Sequence, residues 1–173
     1  MTTKVATEKV AAKILFYGDL KMATIPVDDN QGVPRVRVLV AEDFEPFRRF
    51  ICSTLGRNPE LQVIAEVSDG MEAVCKAEEL QPNLILLDVG LPTVSGIEAA
   101  RHIRTLSPES KIIFVSQESS ADVVQEAIHL GAWGYVLKTK AGCDLSAAVQ
   151  AVCEGKRFVT GGLWFQNLAD GSA

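Results

Sequence analysis

The stretch LILLDVGLP, residues 84–92, consists of four consecutive apolar residues followed by an acid and a turn. A short apolar run bounded by turn residues is typical of a strand buried on both faces in the middle of a parallel sheet. Asp88 then lies at the carboxyl end of that strand, where open α/β sheets bind their ligands. Taken alone, Asp88 is better interpreted as a solvated residue that closes a strand, so its role depends on the other strands.

Apolar runs of this kind alternate with helical patterns along the chain. Each predicted strand is followed by apolar residues at spacings of three and four, which indicate an amphipathic helix. Parallel strands need crossover connections, and these are right-handed. We therefore predict an α/β protein with a doubly wound five-stranded parallel sheet in the order 2-1-3-4-5, a flavodoxin-like fold. The predicted strands span residues 36–41, 61–67, 84–87, 111–115 and 133–137.

The polar residues before three of these helices are the expected helix N-caps. Asp69, Ser95 and Ser119 each stand just before an apolar-periodic segment, with an acid three residues later. Such side chains accept hydrogen bonds from the first free backbone N–H groups of a helix.

The chain divides into three parts by composition. We expect residues 1–34 to form a flexible or loosely docked N-terminal extension with one short amphipathic helix and a Pro/Gly-bounded linker. Residues 35–157 carry the strand–helix alternation and form one domain. Residues 158–173 are a C-terminal tail or a truncated linker.

Composition restricts the classes of partner and compartment. The net charge of −5 and the pI near 5.1 argue against a nucleic-acid-binding surface. No segment is long and apolar enough to span a membrane. The four cysteines form no CxxC pair, which favours small buried or half-buried apolar positions and a reducing cytoplasm.

Polar residues follow four of the predicted strands. Glu42 and Asp43 follow the first strand, Asp88 the third, Ser116 the fourth and Lys138 the fifth. In the order 2-1-3-4-5 the first and third strands are neighbours, so three carboxylates meet, and they cannot all stay ionised without a cation. Mg²⁺ suits such oxygen ligands. Lys138 and Ser116 can bind the oxygens of an anion beside it, so the set predicts phosphoryl transfer to a carboxylate.

Each of these residues also has an ordinary interpretation. Asp43 can be a helix N-cap, Glu42 a solvated loop acid, Ser116 a turn residue and Lys138 a surface lysine. It is much less plausible that the residues at all four strand ends have only these ordinary roles.

The same residues resemble those of a known family. Residues 36–157 resemble the receiver domain of bacterial two-component response regulators, through Glu42-Asp43 after VRVLVA, Asp88 in LLDVGLPTVSG, Ser116 after KIIFV and Lys138 in GAWGYVLKT. The resemblance implies that Asp88 is the phospho-acceptor and that a sensor histidine kinase is its partner. Such a protein is not a conventional enzyme, although it catalyses its own aspartyl phosphorylation and dephosphorylation.

The resemblance also assigns the residues around the phospho-acceptor. It implies that Asp43, Asp88 and the backbone carbonyl of Gly90 hold Mg²⁺, with Glu42 acting largely through a metal-bound water.

A switch follows from the same resemblance. It implies that Lys138 pairs with the phosphoryl group, that Ser116 bonds to it and that Tyr135 swings inward behind Ser116. The fourth helix, fifth strand and fifth helix would then change their surface. A homodimer on activation is a further expectation.

Two segments resemble one subfamily more narrowly. Residues 131–135 and 145–159 are similar to receivers that precede a LuxR/NarL-type helix-turn-helix domain. Residues 160–173 are too few for that domain, so we expect either a fragment or a stand-alone receiver, with DNA reached only through an output domain absent from this chain. Two departures stand out: Gly90 lacks the larger side chain often found there, and Thr139 replaces a frequent proline.

Two other functions stay open at this point. A metal-dependent phosphatase of the haloacid-dehalogenase type also uses an Asp after a strand, but it needs a second acid where this chain has Gly90. The other is a phosphate-independent protein-interaction module with an idle pocket. Trp133 has two interpretations: alternation puts it on the side of Tyr135, as a partner contact, or it packs on a neighbouring helix or on residues 163–165.

Overall fold

In a computed structural model of the chain, strands and helices alternate throughout the described residues, 35–162. The predicted N-terminal helix and the aromatic tail at residues 163–165 lie outside them. The elements are β1 Val36–Ala41, α1 Glu45–Leu55, β2 Leu61–Val67, α2 Gly70–Leu80, β3 Leu84–Asp88, α3 Gly96–Leu106, β4 Lys111–Ser116, α4 Ala121–His129, β5 Gly134–Leu137, α5 Ala141–Cys153 and β6 Phe158–Val159, with 3₁₀ turns at Lys138–Lys140 and Thr160–Gly162.

The strands form one parallel sheet in the order β2-β1-β3-β4-β5-β6. This confirms the α/β doubly wound fold and the predicted order 2-1-3-4-5. The prediction of five strands was one short, because β6 pairs with β5 through Gly134 opposite Phe158 and Tyr135 opposite Val159. A two-residue strand is too short to produce a periodic apolar pattern, so β6 could not be predicted from the sequence.

The central strand β3 is buried along its whole length. Ile85 and Leu87 belong to an apolar cluster with residues of α2 and α3. Leu84 and Leu86 belong to a second cluster, with residues of α1 and α5. Alternate residues of a strand point to opposite faces, so a continuous apolar run supplies both layers of the core. This is the environment that the run at residues 84–87 predicted.

Two of the three predicted helix caps are present. The Asp69 carboxylate accepts hydrogen bonds from the backbone N–H groups of Met71 and Glu72, and the Ser95 hydroxyl accepts one from Glu98. The third prediction was wrong by one residue, since Ser120 precedes α4 and its side chain makes no capping bond.

None of the helices within residues 35–162 has the length and apolar composition needed to cross a membrane.

Trp133 lies on the opposite side of the sheet from Tyr135. It packs against the apolar cluster of α1 and α5, whereas Tyr135 belongs to the cluster of α2 and α3. The Lys111 ammonium lies 4.4 Å from the centroid of the Trp133 ring. The placement of Trp133 beside Tyr135 was therefore wrong, because β5 begins at Gly134 and strand alternation does not extend back to Trp133.

The cysteines are more exposed than the composition predicted. Cys52 is half-buried, but Cys75, Cys143 and Cys153 are exposed. All four are free thiols. Burial and the neighbouring Glu66 raise the pKa of Cys52 to about 11.

Candidate functional site

The carboxyl ends of β1, β3 and β5 bring Glu42, Asp88 and Lys138 into direct contact. Asp88 is the last residue of β3, and Glu42 and Lys138 directly follow β1 and β5. The Lys138 ammonium donates hydrogen bonds to Glu42 Oε1 at 2.8 Å and to Asp88 Oδ2 at 2.9 Å. Because β5 is two strands away from β3, only a long side chain can reach across β4 to Asp88.

These three charged side chains are largely removed from water. Glu42 is fully buried, Asp88 is 5% exposed and the Lys138 side chain is 12% exposed. Buried charges are costly unless they are paired and hydrogen-bonded, and here one ammonium serves two carboxylates. Within residues 35–162, Glu42 Oε2 has no hydrogen-bond partner. The cluster therefore holds an excess of buried acceptor oxygens.

The pKa values of the cluster reflect this burial. Burial raises the pKa of Glu42 above its usual value, and the hydrogen bond from Lys138 offsets only part of that effect. Burial alone would lower the pKa of Lys138. Its hydrogen bonds to Glu42 and Asp88 outweigh burial and hold the pKa above its usual value, so the ammonium stays charged.

Asp43 completes a group of acids at the edge of the pocket. Glu42, Asp43 and Asp88 each offer a carboxylate oxygen, and these oxygens lie within 4.8 Å of one another. Asp43 is exposed, so the group opens to water on that side. Hard oxygen ligands with an open side, next to the unpaired Glu42 Oε2, fit Mg²⁺.

Ser116 and Tyr135 hold the same residue of the loop that follows β4. Ser116 is 2% exposed, and its hydroxyl accepts a hydrogen bond from the backbone N–H of Glu118 at 3.0 Å. Tyr135 is 1% exposed, and its hydroxyl donates to the backbone carbonyl of Glu118 at 2.8 Å. Burial raises the pKa of the Tyr135 hydroxyl. Tyr135 thus lies inward in this structure, and the loop to α4 is tied to both side chains.

Two glycines set the shape of the pocket around Asp88. A Cβ on Gly96 would lie 1.9 Å from the backbone oxygen of Asp88, so only glycine lets α3 pack against the backbone of Asp88. A Cβ on Gly90 would lie 3.6 Å from Asp88 Oδ2, an ordinary contact. The Gly90 N–H donates to Asp88 Oδ1 at 3.1 Å. The carboxylate is therefore oriented by the backbone, and Gly90 places no side chain over it.

Sequence reasoning missed several residues that support this pocket. The Arg48 guanidinium donates to the backbone carbonyl of Glu42 at 2.6 Å, and Glu118 receives the bonds of Ser116 and Tyr135. These contacts depend on tertiary placement and leave no local pattern. Gly96 did leave a signal, since glycine is a poor helix former and here opens a helix.

The comparisons with known proteins agree with this geometry. The model of the response regulator receiver domain matches residues 38–150. The chain is 36% identical over 121 residues to the transcriptional regulatory protein LiaR of Bacillus subtilis, covering 70% of this chain and 57% of that protein. It is 34% identical over 121 residues to the DNA-binding transcriptional activator DevR/DosR of Mycobacterium tuberculosis, covering 70% and 56%. The chain thus spans little more than half the length of these relatives.

Solved structures give the same result for the fold. A two-component response regulator of the LuxR family from Aurantimonas sp. SI85-9A1 matches with a TM-score of 0.68 at 30% identity, over 72% of this chain and 89% of that one. A signal receiver domain of NarL from Mycobacterium tuberculosis matches with a TM-score of 0.68 at 26% identity, over 72% and 100%. Both similarities cover the strand–helix alternation and support the flavodoxin-like description.

Proposed function

The chain belongs to the response regulator receiver domain family, and from this premise we propose that Asp88 accepts a phosphoryl group from a sensor histidine kinase. The observation that carries the proposal is the buried Asp88 carboxylate with Lys138 bonded to it and two further acids beside it. A buried lysine that bridges two carboxylates can exchange one of them for a phosphoryl oxygen without leaving the pocket.

The proposed reaction moves one phosphoryl group. A carboxylate oxygen of Asp88 forms a bond to phosphorus, and the bond from phosphorus to the donor breaks, with its electron pair leaving on the donor's imidazole nitrogen or acyl oxygen. Lys138 then pairs with a phosphoryl oxygen, and the Ser116 hydroxyl donates its hydrogen to another. In self-dephosphorylation, water attacks phosphorus and the Asp88 carboxylate leaves, which releases inorganic phosphate.

We propose that Mg²⁺ is the cofactor. Asp43, Asp88 and the Gly90 carbonyl would hold the ion, and Glu42 would contribute through a water. The ion would neutralise the negative charge that gathers between the carboxylates and the incoming phosphoryl group. The unpaired, fully buried Glu42 Oε2 supports this assignment, since a metal-bound water would give it a partner.

The proposed output is a change of the surface formed by α4, β5 and α5. Ser116 and Tyr135 both bond to Glu118, so a movement of the Ser116 side chain toward a phosphoryl group would pull on the loop that precedes α4. We propose homodimerisation on activation and control of transcription through an output domain outside this chain. The name of the relative DevR/DosR, a DNA-binding transcriptional activator, supports that output.

We propose the same domain organisation as the sequence predicts. Residues 35–157 would be the receiver, residues 1–34 an extension and residues 158–173 a linker or tail. A cytoplasmic location is proposed from family membership and from the four free cysteines, which persist best in a reducing compartment.

The test is phosphorylation by a small donor. Wild-type protein incubated with Mg²⁺ and acetyl phosphate should gain one phosphoryl group in the intact mass, and Asp88→Asn should gain none. Asp122→Asn, an exposed acid in α4, is the matched control and should behave as wild type.

Two results would overturn the proposal. No adduct on wild-type protein with several donors would indicate a phosphate-independent interaction module. Rapid turnover of a generic phosphate ester would indicate a phosphatase instead.

A further inference from the structure

A buried threonine directly follows the unpredicted strand β6 and is bonded to β5. Thr160 is 8% exposed, and its Oγ1 accepts a hydrogen bond from the backbone N–H of Leu137 at 3.1 Å. The backbone pairing of β6 with β5 stops at Tyr135 opposite Val159. The Thr160 side chain therefore extends the connection between the two strands to the very end of β5.

Leu137 stands between both groups that would bind the phosphoryl oxygens. On one side, Leu137 is paired in register with Ser116 of β4. Along the chain it directly precedes Lys138, whose ammonium reaches Asp88 and Glu42. β5 has only four residues and ends here, so the position of Leu137 fixes where the Lys138 side chain begins.

We propose that Thr160 is a positioning residue that holds the end of β5, and with it Lys138, in register with the phosphoryl pocket. The inference rests on the proposed function of Asp88. The same bond connects the pocket with the polypeptide that follows β6. A displacement of Lys138 toward a phosphoryl group is thereby transmitted through Leu137 to Thr160.

The backbone after Thr160 favours such transmission. Gly161 has a φ of +81°, a left-handed conformation that glycine adopts readily and other residues rarely do. The chain therefore turns immediately after the hydroxyl that bonds to β5.

The first arm of the test uses unphosphorylated protein. Thr160→Val keeps the shape of the side chain but removes the acceptor, and Thr160→Ser restores it. We expect the Leu137 amide to exchange about 2- to 10-fold faster in Thr160→Val, the range for loss of one hydrogen bond, and at the wild-type rate in Thr160→Ser. The Lys138 ammonium resonance, slowed in exchange by its two carboxylate bonds, should broaden or disappear only in Thr160→Val.

The second arm measures the rate of phosphorylation by acetyl phosphate with Mg²⁺. Thr160→Val should be slower than wild type by a factor like that for Leu137 exchange, and Thr160→Ser should recover the rate. Thr54→Val is the matched control, because Thr54 is a half-buried threonine of α1 whose hydroxyl donates to its own helix. It should leave all three readouts at wild-type values.

The outcomes separate this inference from the proposed function. If wild-type protein takes up no phosphoryl group, the proposed function fails, and the Lys138 resonance still decides the inference. Faster Leu137 exchange with an unchanged Lys138 resonance and rate overturns the positioning role. An unchanged Leu137 exchange rate overturns it as well, because the bond would then contribute nothing. Changes in all readouts that Thr160→Ser reverses support it.

Discussion

The two ends of the sheet each carry a partly buried lysine, but in opposite surroundings. At the carboxyl edge, which holds Glu42, Asp88 and Lys138, the ammonium bonds to two buried carboxylates. At the amino edge, where β4 begins, the Lys111 ammonium donates to the backbone carbonyl of Val152 at 2.8 Å and lies over the Trp133 ring. The first lysine compensates negative charge, whereas the second satisfies the carbonyl end of a helix.

The two edges also differ in whether their polar groups are satisfied. The amino edge has a cavity of about 390 Å³ between α1, β2 and α5. Its polar groups are satisfied by ordinary structure, as where Asn83 Oδ1 accepts from the backbone N–H of Arg37 at 2.9 Å. The carboxyl edge keeps an unpaired oxygen on Glu42 and an excess of negative charge. A buried carboxylate oxygen without a hydrogen-bond partner, in a core whose other polar groups are paired, is typical of a functional site.

The largest expected difference comes from removing each lysine in turn. Lys138→Met leaves two buried carboxylates without a cation, and we expect unfolding free energy to fall by about 3–5 kcal/mol. Lys111→Met loses one hydrogen bond to a carbonyl and the cation–π contact with the Trp133 ring, so about 1–2 kcal/mol should be lost. Urea unfolding in EDTA measures both values.

Added Mg²⁺ sharpens this test. It should restore part of the stability of Lys138→Met, because a divalent ion can replace the missing cation between the carboxylates. It should stabilise Lys111→Met only as much as wild type, because the proposed site for the ion is the same in both. Equal losses of unfolding free energy for the two variants in EDTA would mean that Lys138 does not compensate the two buried carboxylates.

The fold was predictable where the pattern was long enough. β1 and β2 have the predicted bounds, because six or seven residues of suitable composition bounded by turns leave little choice. β6 was not predicted because two residues are too few to show an apolar pattern. Trp133 was assigned to the wrong face of the sheet because β5 begins one residue later than predicted. Both errors lie at the end of an element: β6 is a two-residue edge strand, and Trp133 directly precedes the first residue of β5.

The sequence predicted which residues meet at the carboxyl edge, but not their burial or their ion pairing. Strand order alone brings Glu42 and Asp88 together, and the reach of a lysine from β5 completes the set. The sequence did not predict that Glu42 would be fully buried and Asp43 exposed, or that Lys138 would bond to both carboxylates at once. Those features depend on how α1 and the loop at Gly90 pack, which no local pattern encodes.

A smaller effect should follow from covering the carboxyl edge. Gly90 places no side chain over the Asp88 carboxylate, and a Cβ there would lie 3.6 Å from Asp88 Oδ2 without a clash. We expect Gly90→Met to slow the loss of the phosphoryl group several-fold, because the side chain restricts access of water to phosphorus. The measurement is the decay of phosphorylated protein by intact mass after the donor is removed.

A matched variant separates access from general effects. Gly142→Met places the same side chain on an exposed position of α5 with open space around it, and the decay rate should not change. A faster decay in Gly90→Met would show that water does not reach phosphorus from the Gly90 side of Asp88.

The smallest expected effect concerns the buried hydroxyl of Tyr135. Tyr135→Phe removes its bond to the Glu118 carbonyl, so unfolding free energy near pH 8 should fall by about 1 kcal/mol.

Burial raises the pKa of Tyr135 above its value of 10.0 in the unfolded chain. Its contribution is therefore fully present below pH 10 and is lost as pH rises through the raised pKa. The difference between wild type and variant should narrow above pH 10, as urea unfolding at pH 8 and pH 10.5 can measure. A difference that stays constant would mean that the hydroxyl is as hydrated in the folded protein as in the unfolded chain, and that the carboxyl edge is less dry than its buried carboxylates indicate.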